Sequence, residues 1–139
     1  AQAAIPRIVD FTTQNLSNTP WSFARLEFLH RPGLAALSAA ALARMSQLRS
    51  QDLCSTAWSL AFLELQNPPL IEAISEAALG KIALCGSQGL ANLAWADATL
   101  LYTHCPLLAS ISSEALRPLP AQFKTQEQAN LAWAFAKLL

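Results

Sequence analysis

The chain has 139 residues, which suits one domain of ordinary size. Hydrophobic residues make up 53% of it and charged residues only 13%, which excludes a disordered chain and leaves much apolar surface for neighbouring repeats or partners to cover. Nine basic residues balance nine acidic ones, so no basic field points to nucleic acid or to an anionic membrane. The apolar stretches are shorter than the roughly 20 residues that span a bilayer, and we expect no membrane insertion.

The tryptophans mark an internal repeat. Trp21, Trp58, Trp95 and Trp133 are spaced by 37, 37 and 38 residues, and a Gln precedes each of them by seven residues. Such a period is typical of stacked helical hairpins. We therefore predict an all-α fold, a right-handed α–α superhelix or helical-hairpin repeat solenoid of about 3.5 repeats, with the four tryptophans as its structural signature. Residues 1–139 would form one domain. Neither end carries the polar pattern of a capping repeat, so we expect this domain to be a fragment of a longer array.

Two helices, A and B, alternate in each repeat, and residues 1–10 supply only the end of a first helix A. After it the pattern predicts helix B over 14–28, helix A over 33–47, helix B over 51–65, helix A over 70–83, helix B over 88–102, helix A over 107–117 and helix B over 126–139. Each helix B follows a predicted N-cap, which is Thr13, Ser50, Ser87 or Thr125. Each helix A follows a proline, which the first helical turn tolerates, at Pro32, Pro69 or Pro106.

Three features interrupt this pattern. Pro20 falls inside the first helix B, where we expect it to kink or delay the helix. Asp97 lies on a stripe that is otherwise Phe or Leu, so we expect it to need a partner or access to solvent. Pro118 and Pro120 are expected to end the third helix A early.

Cysteine and histidine offer no clear chemistry. The three cysteines lack the spacing of a metal or redox motif, and we interpret Cys54, Cys85 and Cys105 as reduced, buried thiols. His30 and His104 share one loop position with Asn67, which favours loop hydrogen bonding over a metal site or a general base. No nucleophile elbow, phosphate-binding loop or zinc-protease motif occurs, so we expect no enzyme activity, no metal and no cofactor.

Four helix B segments follow a pattern of Gln, a Leu-Ala-Asn-like step and a Trp-Ala-x-Ala run, in which Ser replaces the first Ala in the first two: QNLSNTPWSFARLEF, QDLCSTAWSLAFLEL, QGLANLAWADATLLY and QEQANLAWAFAKLL. With the proline-led segment NPPLIEAISEAALG, they resemble the octotricopeptide repeat family and the related arrays that precede RAP domains. The resemblance covers the whole chain. It implies RNA binding in a mitochondrion or chloroplast, in transcript stability, splicing, translation or an organellar ribosome.

Two rows of polar residues are candidates for contact with RNA. Helix B carries Asn18, Ser55, Asn92 and Asn130 at equivalent positions, and helix A carries Ser38, Ser75 and Ser112. Asn can hydrogen-bond to base edges, and repeat proteins can read one base per repeat. A ladder that ties neighbouring repeats together is nevertheless favoured for the first row, and a solvated helix face for the second.

Basic residues complete the candidate RNA-binding set, because phosphate contacts require Lys or Arg. They are Arg25, Arg49, Lys81, Arg117 and Lys137. We predict an RNA-binding module of an organellar gene-expression factor or ribosome-associated protein, soluble or complex-bound, which holds single-stranded or ribosomal RNA and contacts other proteins of a large complex. The alternative is a protein–protein scaffold of an organellar assembly without direct RNA contact.

Overall fold

A computed structural model describes residues 2–117 and 123–139 of the chain. All regular secondary structure in these residues is helical, which confirms the all-α prediction. The α-helices in the described residues are α1 Thr13–Arg25, α2 Arg31–Ala43, α3 Ser50–Phe62, α4 Pro68–Leu79, α5 Ser87–Thr99, α6 Cys105–Ala115 and α7 Thr125–Leu138. Three 3₁₀ helices cover Gln2–Asp10, Met45–Gln47 and Ile82–Leu84. The predicted interruption at Pro118 and Pro120 lies outside the described residues.

The helices form two layers. The B layer consists of α1, α3, α5 and α7, which pack side by side in chain order and each carry one tryptophan. The A layer consists of α2, α4 and α6, and each of these helices packs against the B helix that precedes it. Contacts between neighbouring B helices are much denser than contacts between neighbouring A helices. Hairpin therefore follows hairpin in a row, and equivalent residues of successive repeats lie on shared faces.

Small residues allow the B helices to approach each other. Ala57, Ala61, Ala94 and Ala98 are all buried at the centre of the largest apolar cluster, which runs from α2 to α7. Leucine and isoleucine from both layers fill the space between the layers; the most completely buried are Leu53, Leu70, Ile74, Leu93, Leu107 and Ile111. A smaller cluster holds the first 3₁₀ helix against α1 and α2. Helix B is thus buried on two sides, because one side meets helix A and the other meets the next helix B.

Each of the first three B helices ends three residues before the predicted boundary. The residue after each C-cap adopts a left-handed backbone, with φ of 52° at Glu27, 52° at Glu64 and 56° at Leu101. The next amide then donates to a carbonyl five residues earlier, as from Leu65 to Leu60 at 2.8 Å, in the Schellman geometry that closes a helix. This position usually holds glycine, and none of the three residues is glycine, so the predicted ends at 28, 65 and 102 were wrong.

The caps of helix B lie one residue earlier than predicted. Thr12, and not Thr13, caps α1, and its side chain exchanges hydrogen bonds with Asn15. In α3 and α7 the acidic residue of the first turn reaches back instead, as Asp52 Oδ2 accepts the amide of Arg49 at 3.0 Å. A carboxylate at this position also interacts favourably with the helix dipole.

Each helix A begins two residues before the predicted start, since the proline occupies its second position. The side chains of His30, Asn67 and His104 accept hydrogen bonds from the first helical turn at 3.0, 3.3 and 3.1 Å. This confirms the interpretation of these three residues as loop hydrogen-bonding groups. The first two A helices end early as well, at residues 43 and 79, because an irregular residue and a 3₁₀ turn follow each of them.

Pro20 does not delay α1, which runs from Thr13 to Arg25 with the proline buried inside it. The missing amide affects only the bond to the carbonyl of Leu16, four residues earlier. Neighbouring carbonyls gain side-chain donors, as Thr19 Oγ1 bonds to the oxygen of Asn15 at 2.8 Å. The expectation of a delayed helix was therefore wrong.

Asp97 is a buried carboxyl group in the middle of α5. It is 3% exposed, and Oδ2 has no hydrogen-bond partner within the described residues. Burial raises the pKa of Asp97 to about 7 from an ordinary value of 3.8. Neither the partner nor the opening to solvent that the sequence calls for is present at this oxygen, so burial favours the protonated form and the group takes up a proton on folding between about pH 4 and pH 7.

We predict that Leu101→Gly stabilises the fold by about 0.5–1 kcal/mol, because glycine removes the left-handed strain while losing some entropy on folding. Leu101 is 70% exposed, so little burial is lost. Thermal and urea denaturation of the variant and of Leu101→Ala, which keeps the strained Cβ, would measure this. Equal stability of the two variants would show that strain is not the cause.

We predict that wild-type stability falls as pH rises from about 4 to about 7, since folded Asp97 binds a proton that the unfolded chain has lost. The isosteric Asp97→Asn cannot titrate and should lack this fall, which amounts to as much as about 4 kcal/mol for a pKa raised by about three units. Urea denaturation of both proteins between pH 4 and pH 8 tests the point. Parallel pH profiles would contradict it.

Candidate nucleic-acid interface

One face of the B layer gathers most of the RNA-binding candidates that lie on helix B. In each B helix it uses three positions that are three and four residues apart, which brings them onto one side of the helix. We call the twelve residues together the tryptophan face: Asn18, Trp21, Arg25, Ser55, Trp58, Phe62, Asn92, Trp95, Thr99, Asn130, Trp133 and Lys137. None of the twelve is buried. Because the B helices lie side by side, the four sets form consecutive rungs.

The tryptophans of this face are only partly used in packing. Trp58 and Trp95 are half-buried and contact each other across two repeats, with ring centroids 6.4 Å apart. Trp21 and Trp133 are instead 46% and 44% exposed. Phe62 stacks on Trp58 at 5.0 Å and extends the aromatic surface. Exposed aromatic rings of this kind are the usual platforms for unstacked bases.

A positive charge accompanies the tryptophan at each end of the face. The Arg25 guanidinium lies 5.8 Å from the centre of the Trp21 ring, and Lys137 Nζ lies 4.8 Å from that of Trp133. Neither cation forms an ion pair with any residue in the described ranges. Both charges therefore remain available to an anionic group such as a phosphate.

The amides of the asparagine row do not form the inter-repeat ladder that the sequence favours. Within the part of the chain that the structure describes, the side-chain amides of Asn18, Asn92 and Asn130 have no hydrogen-bond partner. Only the backbone oxygen of Asn18 is used, by Ser22 Oγ at 2.8 Å. Each amide can thus offer both a donor and an acceptor to a ligand.

The serine row of helix A lies elsewhere and is not a solvated face. Ser75 is 1% exposed, and its hydroxyl donates to the carbonyl of Ile71 at 2.9 Å. Ser38 and Ser112 are half-buried, and Ser38 lines a small cavity between α1 and its neighbours. The row turns inward because its side of each A helix packs toward the rest of the array.

Three predicted phosphate-binding residues are also off the tryptophan face and already have partners. Arg49 forms a bidentate pair with Asp52, at 2.9 and 3.0 Å. Lys81 donates to the carbonyl of Leu48, and Arg117 pairs with Glu114 at 3.2 Å. These contacts hold helix ends and loops in place, so the structure does not bring these cations to the asparagine and tryptophan rows.

Asp52 is a buried carboxylate that ties the first repeat to the second. Besides Arg49, it accepts the Ser17 hydroxyl of α1 at 3.0 Å. Burial alone would raise the pKa of Asp52, but hydrogen bonds from Arg49 and Ser17 hold it below its usual value. The link between the two repeats therefore carries an ionised carboxylate.

What sequence reasoning missed is the role of the aromatic rings. The repeat pattern identifies the four tryptophans as a structural signature of the repeat, whereas their exposure depends on how far each ring is covered by its surroundings. The available signal was the spacing, since each Trp stands three residues after the Asn or Ser of its own helix. Phe62 carried the same signal, seven residues after Ser55.

A comparison with known protein families identifies the family of the chain. A family model described as RNA-editing substrate-binding complex 6 protein matches residues 1–139. The chain belongs to this family. The resemblance to the octotricopeptide repeat family is therefore wrong, since its shared Gln and Trp-Ala-x-Ala pattern also serves the packing of closely spaced helical hairpins. The chloroplast and ribosome associations that rested on it have no support in the RNA-editing substrate-binding complex 6 protein family.

No protein with a curated description matches the chain. In the ranges that the structure covers, each helix is too short or too polar to cross a bilayer.

We predict that Asp52→Ala destabilises the fold by about 1–3 kcal/mol, because it removes the acceptor of the Arg49 amide and the bond that joins Ser17 to the second repeat. The matched control is Glu114→Ala, which breaks the surface pair with Arg117 and should cost less than about 1 kcal/mol. Urea denaturation of both variants at pH 7 measures the difference. Similar losses would mean that the inter-repeat carboxylate has no special role.

Proposed function

We propose that this chain is a non-catalytic RNA-binding module of an RNA-editing complex in an organelle, with the mitochondrion as the favoured site. Its tryptophan face would hold single-stranded RNA, and its remaining surface would contact other proteins of the complex. The family description, which names an RNA-editing substrate-binding complex, supports this assignment. We also propose that the hairpins form the right-handed α–α superhelix expected from the repeat. The denser contacts in the B layer than in the A layer favour curvature of this array toward helix B.

The observation that carries the proposal is the set of unused groups on one face. Asn18, Asn92 and Asn130 present unpaired amides, and the neighbouring tryptophans present ring surface. A ladder between repeats would have used these amides in hydrogen bonds, and Trp21 and Trp133 are more exposed than packing between repeats requires. Amides beside aromatic rings match what unstacked bases require, which is a stacking surface and a hydrogen-bonding edge.

The charges on the face set the expected strength and salt dependence of binding. Stacking on an aromatic side chain contributes about 1–3 kcal/mol per base, so most affinity would come from the rings. Arg25 and Lys137 supply one phosphate contact at each end. With about 0.7 of a counterion released per phosphate of a single strand, binding should weaken with salt at a slope near −1.4. A chain with zero net charge and this weak slope would hold RNA mainly through non-ionic contacts.

A protein–protein scaffold without RNA contact is the second candidate. The observation in its favour is a group of exposed apolar side chains off the tryptophan face, which includes Leu26, Leu84, Leu101 and Leu116. A protein partner that covered these side chains would remove their apolar surface from water. In this reading, partners would cover those side chains while the tryptophan face stayed empty.

We predict that the double variant Arg25→Ala with Lys137→Ala flattens the salt slope by about 1.4 and weakens binding about tenfold. Fluorescence anisotropy with labelled single-stranded RNA at several salt concentrations would measure both quantities. The matched control is Arg31→Ala with Arg117→Ala, which removes the same charge from outside the tryptophan face.

A triple variant, Asn18→Ala, Asn92→Ala and Asn130→Ala, separates amide contacts from phosphate contacts. It should weaken binding at every salt concentration and leave the slope unchanged, because it removes no charge. If the control double variant lost as much RNA affinity as the double variant of Arg25 and Lys137, the attraction to RNA would be nonspecific. No measurable binding by the wild type, together with stable protein partners, would favour the scaffold.

A further inference from the structure

The second and third repeats meet at a pair of thiols away from the tryptophan face. Cys54 lies in α3, and Cys85 lies directly before Gly86, the residue that caps α5. Their sulfur atoms are 3.9 Å apart, and both side chains are buried. The third cysteine, Cys105, is exposed at the start of α6, so the interpretation of all three as buried thiols was wrong for this residue.

The pair exists because this junction is built differently from its equivalents. Where α3 and α7 carry Asp52 and Glu127 in their first turn, α5 carries Gly89. A Cβ atom on Gly89 would stand only 3.0 Å from Cys54 Sγ, so any larger residue would displace the sulfur. The absence of a side chain at Gly89 therefore makes the room in which the two thiols meet.

The two thiols differ in character. Cys54 donates to the sulfur of Cys85 at 3.9 Å, and this hydrogen bond lowers the pKa of Cys85 although burial opposes the effect. The same hydrogen bond and then burial raise the pKa of Cys54. Cys85 also stands at the positive end of the α5 dipole, which favours a thiolate. Cys85 is thus the nucleophile of the pair, and Cys54 is the group placed to resolve it.

We propose that Cys54 and Cys85 form an oxidation site, at which a hydroperoxide converts the two thiols into a disulfide that joins the second repeat to the third. This inference does not depend on RNA binding. It rests on the distance between the sulfurs, their shared burial and the space left by Gly89.

The reaction balances in two steps. The Cys85 thiolate attacks an oxygen of hydrogen peroxide, the O–O bond breaks, and the hydroxide that leaves takes a proton to become water, which gives Cys85 sulfenic acid. Cys54 sulfur then attacks the Cys85 sulfur, the S–O bond breaks, and the leaving hydroxide combines with the Cys54 proton as a second water. The two thiols lose two electrons and two protons together, and the peroxide is reduced to two waters.

Disulfide formation requires only a local movement. The sulfurs must close from 3.9 Å to about 2.0 Å, which rotation of the two side chains and a small shift of the turn before α5 can supply. The bond would close a loop between residues 54 and 85 in the unfolded chain and so reduce the entropy gained on unfolding. We therefore expect the oxidised protein to unfold at a higher temperature than the reduced protein.

The first experiment treats the folded Cys105→Ser chain with hydrogen peroxide, removes the peroxide with catalase, blocks the remaining thiols and digests the protein without reductant. Mass spectrometry should find the peptides of Cys54 and Cys85 joined, and dithiothreitol should separate them. Recovery of both cysteines as blocked thiols, at peroxide doses that oxidise Cys105 in the wild type, would overturn the proposal.

Two further measurements test the order of attack and the locking of the repeats. In Cys54→Ser, dimedone should trap a sulfenic acid at Cys85, whereas Cys85→Ser should give little adduct at Cys54; the opposite labelling would overturn the assigned roles. The melting temperature of the Cys105→Ser chain should rise on oxidation and return with dithiothreitol, while Cys54→Ser should show neither change. An oxidised chain that melts no higher than the reduced one would show that the bond does not lock the repeats.

Discussion

The close lateral packing of the B helices is the constraint on which the rest of this structure depends. Ala57 and Ala94 occupy positions at the centre of the contacts between neighbouring B helices, and both are fully buried. An alanine at such a position allows a short distance between the two helix axes, and a larger side chain would increase that distance. Helix A is then left to cover only one side of each B helix. The opposite side carries the asparagine and tryptophan rows at a spacing that the alanines determine.

Because the B helices lie so close, a side chain's role depends on which junction it faces. Ser17, Cys54 and Ala91 stand at equivalent positions, yet the first bonds to a carboxylate, the second to a thiol, and the third is plain apolar packing. Equivalent positions thus share location but not chemistry. The same holds on the tryptophan face, where the last position of the rung is Arg25, Phe62, Thr99 or Lys137.

The period and the helices were predictable from the chain because four tryptophans and three prolines recur at fixed intervals. The helix ends were harder to predict, since Glu64 and Leu101 adopt the left-handed backbone conformation for which glycine is the usual sequence signal. The asparagine row was found by its recurrence, but whether Asn92 bonds to the next repeat depends on a distance that no single-helix pattern contains. Ser75 was likewise expected on a solvated face but is buried, because burial depends on packing between helices that the pattern of one helix does not contain. Local signals therefore located the candidate residues, and contacts between repeats decided their surroundings.

The three junctions of the B layer also differ in what holds them, and this has a mechanical consequence. Each hairpin touches mainly its neighbours, so a load along the row is shared by the junctions according to their stiffness. The first is braced by Ser17, Asp52 and Arg49, whose polar bonds have defined directions and resist sliding. At the second, the buried contact between α3 and the start of α5 joins two sulfurs and apolar side chains. Its polar bonds, from Ser50 Oγ to the carbonyl of Leu84 and from Lys81 to that of Leu48, lie at the helix ends. Under such a load, the buried part of the second junction should slide more easily than that of the first, where the bonds of Asp52 fix the position of α1 against α3.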